Sequence, residues 1–255
     1  MDFQKVRKIL KKENNLIHLK GKNKVVFVGD THGDLETSQR VVSEYLKDDN
    51  ILVFLGDYVD RGNYSKQNID FLLEKKTEKP EQLFLLQGNH EGHHTLKFFP
   101  AEFWEGLSKK EYKIYTELVE NFPLVFVAGD VMALHGALPD VESIEGIKNI
   151  KLGSDEWKQI TWGDFSEGDG DYLGLGVFTG RPQFGSNYFF RVMKKLNKKV
   201  LIRSHQSNSP RFMFNDQCVT IFTSSAYQQR RSIALADLSK EISTGRDLDI
   251  ILLEK

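Results

Sequence analysis

The 255 residues carry 35 Lys and Arg against 36 Asp and Glu, a formal net charge of −1, and 40% of them are hydrophobic. That balance supports one sizeable core and excludes a broad basic field for nucleic acid or an anionic membrane, so any recognition of phosphate must be local. The single cysteine, Cys218, cannot form an intrachain disulfide, which makes a reducing, cytoplasmic setting the simpler expectation.

From Met1 to Lys12 charges alternate with Val6, Ile9 and Leu10, a pattern that predicts an amphipathic docking helix and lacks the apolar stretch of a secretory signal. Runs of Val, Ile, Leu and Phe at 25–28, 51–55 and 83–86 have the length and composition of buried strands, and each meets glycine within two residues. Between them Leu35, Val42, Tyr45 and Leu46 share one helical face, and Ile69, Leu72 and Leu73 share another. Strand, helix, strand, helix, strand implies an α/β core. Tyr112, Tyr115, Val119 and Phe122 form a further core-facing stripe. The runs 124–127 and 131–134 flank Ala128-Gly129-Asp130 and predict a hairpin. A helix is expected after Gly185, then strands at 200–202, 219–222, 233–236 and 248–253. All these apolar runs fall far short of the roughly 20 residues that cross a bilayer, so no membrane span is expected. Without a repeat or a Pro/Ser-rich linker, residues 1–255 read as one domain.

Three predicted strand ends carry polar clusters: Gly29-Asp30-Thr31-His32-Gly33, Gly56-Asp57-Tyr58-Val59-Asp60-Arg61-Gly62 and Gly88-Asn89-His90-Glu91. Any one alone is ordinary turn chemistry, with an aspartate capping the next helix. In a wound α/β sheet, however, the carboxyl ends of strands converge on one crevice, so the three can share a site. His135 and His205 also follow strands, and singly each would more often be a structural histidine. Carboxylate, imidazole and amide donors together suit Mn, Fe, Zn or Mg and exclude a thiolate-selected metal.

In combination and order these segments resemble the metal-dependent serine/threonine phosphoprotein phosphatases within the calcineurin-like metallophosphoesterases. The likeness covers Gly29 to Gly33, Gly56 to Gly62, Gly88 to Glu91, Leu134-His135-Gly136, Trp162-Gly163-Asp164, Arg203 to Gln206 and Phe222 to Tyr227. It implies an α/β calcineurin-like fold of two packed mixed β-sheets flanked by helices, and two divalent metal ions, with manganese the first choice in vitro and Fe, Zn or Mg as alternatives. Asp30 and His32 would hold one ion, Asn89, His135 and His205 the other, and Asp57 would bridge them. A water shared by two such ions is acidified enough to supply hydroxide near neutrality. His90 would protonate the departing serine or threonine oxygen and Asp60 would orient it, while Arg61, Asn89 and Tyr227 would contact phosphate. The family's second phosphate-binding arginine is replaced by Leu175, so Arg181 is expected to supply that charge, with Arg203 as the lesser substitute. Gln228 stands where a cysteine often follows the tyrosine.

The resemblance therefore implies a protein serine/threonine phosphatase acting on phosphorylated proteins or peptides, with no nucleic acid and no membrane as partner; it names no regulatory subunit. A symmetrical diadenosine tetraphosphate hydrolase is the enzymatic alternative, which Asp60 and Glu91 disfavour. An inactive scaffold is the non-enzymatic one. His90-Glu91-Gly92-His93-His94 fits the zinc-protease pattern in letters only, because Gly92 weakens the helix that pattern requires. Asp164, Glu167, Asp169 and Asp171 are expected either as a solvated loop or as an acidic rim that selects basic sequences.

Overall fold

Strands that are apolar on both faces need a covering layer on each side. The computed structural model, which describes residues 2–21, 23–47, 49–227 and 231–253, supplies those layers. In chain order the first half runs α1 (Phe3–Leu10), β1 (Leu16–Leu19), β2 (Lys24–Val28), α2 (Leu35–Tyr45), β3 (Ile51–Phe54), α3 (Ser65–Glu78), β4 (Leu83–Leu85), α4 (Glu102–Glu105), α5 (Lys109–Val119), β5 (Val125–Ala128) and β6 (Val131–Ala133). The second half continues with α6 (Asp155–Trp162), β7 (Asp164–Phe165), β8 (Tyr172–Leu175), β9 (Pro182–Phe184), α7 (Ser186–Leu196), β10 (Val200–Arg203), β11 (Phe212–Met213), β12 (Cys218–Thr220), β13 (Ser232–Asp237) and β14 (Asp249–Leu252).

Two mixed sheets result. One has the order β14-β13-β2-β3-β4, with β2, β3 and β4 parallel. The other has the order β1-β5-β6-β10-β12-β11, with β6, β10 and β12 parallel and β5-β6 forming the hairpin read from the sequence. Period-two alternation sorts the side chains into three cores. Val25, Phe27, Val53 and Leu55 meet Phe126, Ala133, Ile202 and Val219 between the sheets. Val26, Val28, Leu52 and Phe54 turn outward beneath α1, α2, α3 and α5, burying Val6, Leu10, Val41, Leu72 and Tyr115. On the opposite flank Val127, Met132 and Leu201 pack under α6 and α7 through Trp157, Ile160, Phe189 and Val192.

The docking helix, the α/β core and the predicted helix stripes therefore stand where the sequence places them. The pattern did not show β1, or a small third sheet β7-β9-β8 set apart from the two large ones. No helix among the described residues is long and apolar enough to cross a membrane.

Candidate metal centre

Loops leaving β2, β3 and β4 meet those leaving β6 and β10 at the seam between the two sheets. Asp30 N–H donates to Ser204 Oγ at 2.9 Å, and His205 N–H donates to Asp30 Oδ1 at 3.2 Å. Backbone strain is concentrated here. Of nine described non-glycine residues with left-handed backbone, five are His32 (φ 43°), Asp57 (55°), Asp60 (66°), Arg61 (69°) and His205 (67°). The buried carboxylate of Glu91 fixes one of these bends by accepting from the N–H groups of Asp57 (2.7 Å), Tyr58 (2.9 Å) and Gly88 (3.1 Å). At Gly88 the approach is so close that a Cβ would stand 2.2 Å from Asp57 Oδ1.

All six expected ligands gather. His32 Nδ1–H donates to Val59 O and His135 Nδ1–H to Leu55 O, each at 2.9 Å, which turns both Nε2 lone pairs inward. His32 Nε2 lies 3.6 Å from Asp30 Oδ2 and 3.7 Å from Asp57 Oδ2. His135 Nε2 lies 3.4 Å from Asp57 Oδ2, 3.2 Å from Asn89 Oδ1 and 3.1 Å from His205 Nδ1. The donors form two buried clusters, His32-Asp57-His90 and Asp57-His135-His205, each with its atoms within 4.8 Å of one another and both containing Asp57.

Such a knot of lone pairs needs positive charge within it, and Asp30 Oδ2 is buried without any hydrogen-bond partner. The electrostatics carry the same signature. Burial opposes protonation of His32, yet Asp30 and Asp57 outweigh it and push the imidazole up to about 9. His135 is raised against burial by Asp57 and Asp30, and Asp57 is held well below the carboxylate range because His135, His90 and His32 outweigh its own burial. Hard oxygen and imidazole donors in two clusters sharing one carboxylate fit a pair of divalent cations.

His90 belongs to the first cluster but stands at its edge, with Nε2 3.9 Å from Asp57 Oδ2 and Nδ1–H on Asp60 Oδ2 at 2.6 Å. Asp60 is fully buried and also accepts from Phe103 N–H at 2.7 Å, while Trp104 Nε1–H grips the His90 carbonyl at 2.7 Å. His93 stacks on Trp104 and His94 lies beside Glu120, so neither joins His90 in a protease-like pair. Arg61 is half-exposed at the rim, 3.9 Å from Glu102 Oε1. Tyr227 packs its ring 5.6 Å from that of His32.

Arg181 reaches back toward the centre, with its guanidinium 3.9 Å from Asp164 Oδ1. Leu175 is exposed, and Arg203 is wholly buried, donating to Gln206 Oε1 and the Gly163 carbonyl, so Arg203 is no phosphate clamp. Gln228 lies outside the described residues. Asp164 corrects the expectation of an acidic rim: it is buried, 3.4 Å from His205 Nε2, where it can orient that imidazole. Glu167, Asp169 and Asp171 are exposed, and Asp171 is paired with Arg191. The sequence offered one sign of Asp164's separate standing, its place in Trp162-Gly163-Asp164.

Residues 23–208 match the family model described as calcineurin-like phosphoesterase. The chain belongs to this family. It is 26% identical over 232 residues to a protein of Encephalitozoon cuniculi named "Probable serine/threonine-protein phosphatase"; the match covers 84% of this chain and 50% of that relative, so the chain spans about half its length. A protein serine/threonine phosphatase from Saccharomyces cerevisiae, with similarity to human phosphatase PP5, superimposes on this chain at a TM-score of 0.84 and 20% identity, covering 99% of this chain and 88% of the other. A cold-active protein-tyrosine phosphatase of a psychrophilic Shewanella follows at a TM-score of 0.59 and 14% identity, covering 89% and 78%. At these identities the two structures share the fold.

Proposed function

We propose that this phosphoesterase hydrolyses phosphoserine and phosphothreonine monoesters in proteins. The observation that carries the reading is the buried Asp60-His90 pair, 2.6 Å long, at the lip of the two histidine-aspartate clusters. An alkoxide leaves poorly without a proton, and a positioned acid contributes about 10² to 10⁴ in rate. The yeast and Encephalitozoon relatives named as serine/threonine phosphatases support the same substrate class.

Asp30, His32 and Asp57 would hold one cation, and Asp57, Asn89, His135 and His205 the other. When bound, a divalent pair supplies Lewis acidity and an acidified water at neutral pH, and manganese is the proposed ion in vitro. The protein's own groups do the rest. Asp60 accepts from His90 Nδ1–H and so fixes the ring's orientation, aiming Nε2 at the place of the serine or threonine oxygen to which it delivers a proton. Arg61 and Arg181 hold the phosphate oxygens, aided by the Asn89 side chain and by Tyr227 over the His32 side.

The test is phosphate release from a phosphothreonine peptide, diadenosine tetraphosphate and an aryl phosphate, after chelation and readdition of manganese. Manganese-dependent turnover of the peptide is expected. Turnover of the dinucleotide with the peptide untouched would transfer the assignment to a dinucleotide polyphosphate hydrolase.

A further inference from the structure

Among the described residues, one hairpin carries five large apolar side chains in the open: Tyr172 at 59% exposure, Leu173 at 36%, Leu175 at 62%, Val177 at 91% and Phe178 at 100%. The hairpin is built to hold that tip in place. Leu175 pairs with Pro182 across β8 and β9, Gly176 N–H donates to Arg181 O at 2.8 Å, and Gly180 N–H donates to Gly176 O at 2.8 Å. Val177, Phe178 and Thr179 therefore ride on a closed turn. A phenyl ring left wholly in water on a closed turn contributes nothing to folding and marks a contact surface.

The location of the turn narrows the partner. Its return strand begins next to Arg181, whose guanidinium faces Asp164, the buried carboxylate beside His205. The apolar tip thus rises from the rim of the metal centre, three residues from Arg181 and so at most about 10 Å of backbone away. Its flank is acidic: Glu167 and Asp169 precede it, Asp171 beside them is paired with Arg191, and no Lys or Arg occurs between Gly163 and Gly180. That charge disfavours an anionic lipid surface, which attracts basic segments. It leaves a peptide chain entering the centre as the matching occupant.

We infer that the Val177-Phe178 tip is a docking prong that receives an apolar side chain of the phosphorylated substrate, about three residues from the phosphorylated one. The inference rests on the phosphoprotein reading and adds the recognition element. It is tested with two phosphothreonine peptides identical except for Leu or Ser three residues from the phosphothreonine, an aryl phosphate too small to reach the tip, and the double variant V177S/F178S. The manganese-loaded natural protein should favour the Leu peptide about tenfold in kcat/KM, the worth of one partly buried leucine contact. The variant should lose that preference while keeping aryl phosphate turnover and melting temperature, because both side chains are exposed. Equal turnover of the two peptides by the natural protein, or an undiminished preference in the variant, overturns the prong. Concentration-dependent self-association that the variant abolishes while the preference persists assigns the tip to a second copy and also overturns it. Aryl phosphate turnover with neither peptide cleaved fails at the earlier step, the phosphoprotein reading itself, and takes the prong with it.

Discussion

At the scale of single residues the candidate centre turns on Asp57 and His90, to which the proposed reaction gives separable duties. Asp57 Oδ1 accepts from His90 N–H at 2.9 Å, while Oδ2 lies 3.7 Å from His32 Nε2 in one cluster and 3.4 Å from His135 Nε2 in the other. Replacing it with Asn removes the negative charge both clusters share, so metal content measured on purified Asp57→Asn should fall toward zero and not to one ion per chain. His90→Asn should keep its metal. Its kcat on a phosphothreonine peptide should fall about 10² to 10⁴-fold, with a much smaller loss on an activated aryl phosphate whose leaving group needs no proton. Equal losses on both substrates would remove His90 from the role of acid. The meeting of the six candidate ligands was legible because glycine-bracketed motifs and strand-following histidines carry them. Asp164 was not, because its role depends on β7 lying beside the loop after β10, a neighbourhood that linear order conceals. Arg203 was ambiguous for a related reason: an arginine next to a ligand histidine reads as a clamp until its burial is known.

At the scale of elements, two polar anchors hold helices to the sheets. Lys76 of α3 is fully buried, donates to Pro80 O and Leu83 O at 2.7 Å each, pairs with Glu13 and lies over the Phe84 ring. Lys76→Ala strands the half-buried Glu13 carboxylate and should cost about 3 kcal/mol in denaturant unfolding, as for other broken buried pairs. Asp140 ties the loop after β6 to α7 through Arg191 and Lys195, at 3.0 and 3.1 Å. Burial works against its ionisation, but the hydrogen bonds and charges of Arg191 and Lys195 outweigh it and hold Asp140 below the usual carboxylate range. A depressed folded-state value stabilises above the unfolded carboxylate value and loses that effect as pH falls through the folded one. Asp140→Asn should therefore lower the melting temperature at pH 6, with the gap to the natural protein closing below about pH 4. A gap that stays constant with pH would mean that the pairing contributes nothing. Helices and long strands were legible because their periodicity extends over many residues. The third sheet was not, since β7 has two residues and the exposed β8 reads Tyr-Leu-Gly-Leu with no buried face.

At the scale of the whole molecule, the metal centre is also the joint between two sheets. Asp30, His32, Asp57 and Asn89 come from loops of the five-stranded sheet, and His135 and His205 from loops of the six-stranded one. The sequence implied that these loops can share a site; it did not assign them to different sheets, because pairing partners such as β6 and β10 are far apart along the chain. A ligand bound only by the folded state stabilises it by about 2.7 kcal/mol when present at 100 times its dissociation constant. For a chain of this size that corresponds to about 5 to 10 °C in melting temperature. Chelation should lower the midpoint by that amount and readdition of manganese should restore it, whereas Asp57→Asn should melt at one temperature under both conditions. A midpoint indifferent to chelation would mean that the cross-sheet hydrogen bonds, such as Asp30 N–H to Ser204 Oγ and His135 Nδ1–H to Leu55 O, close the seam unaided. The cations would then serve chemistry alone.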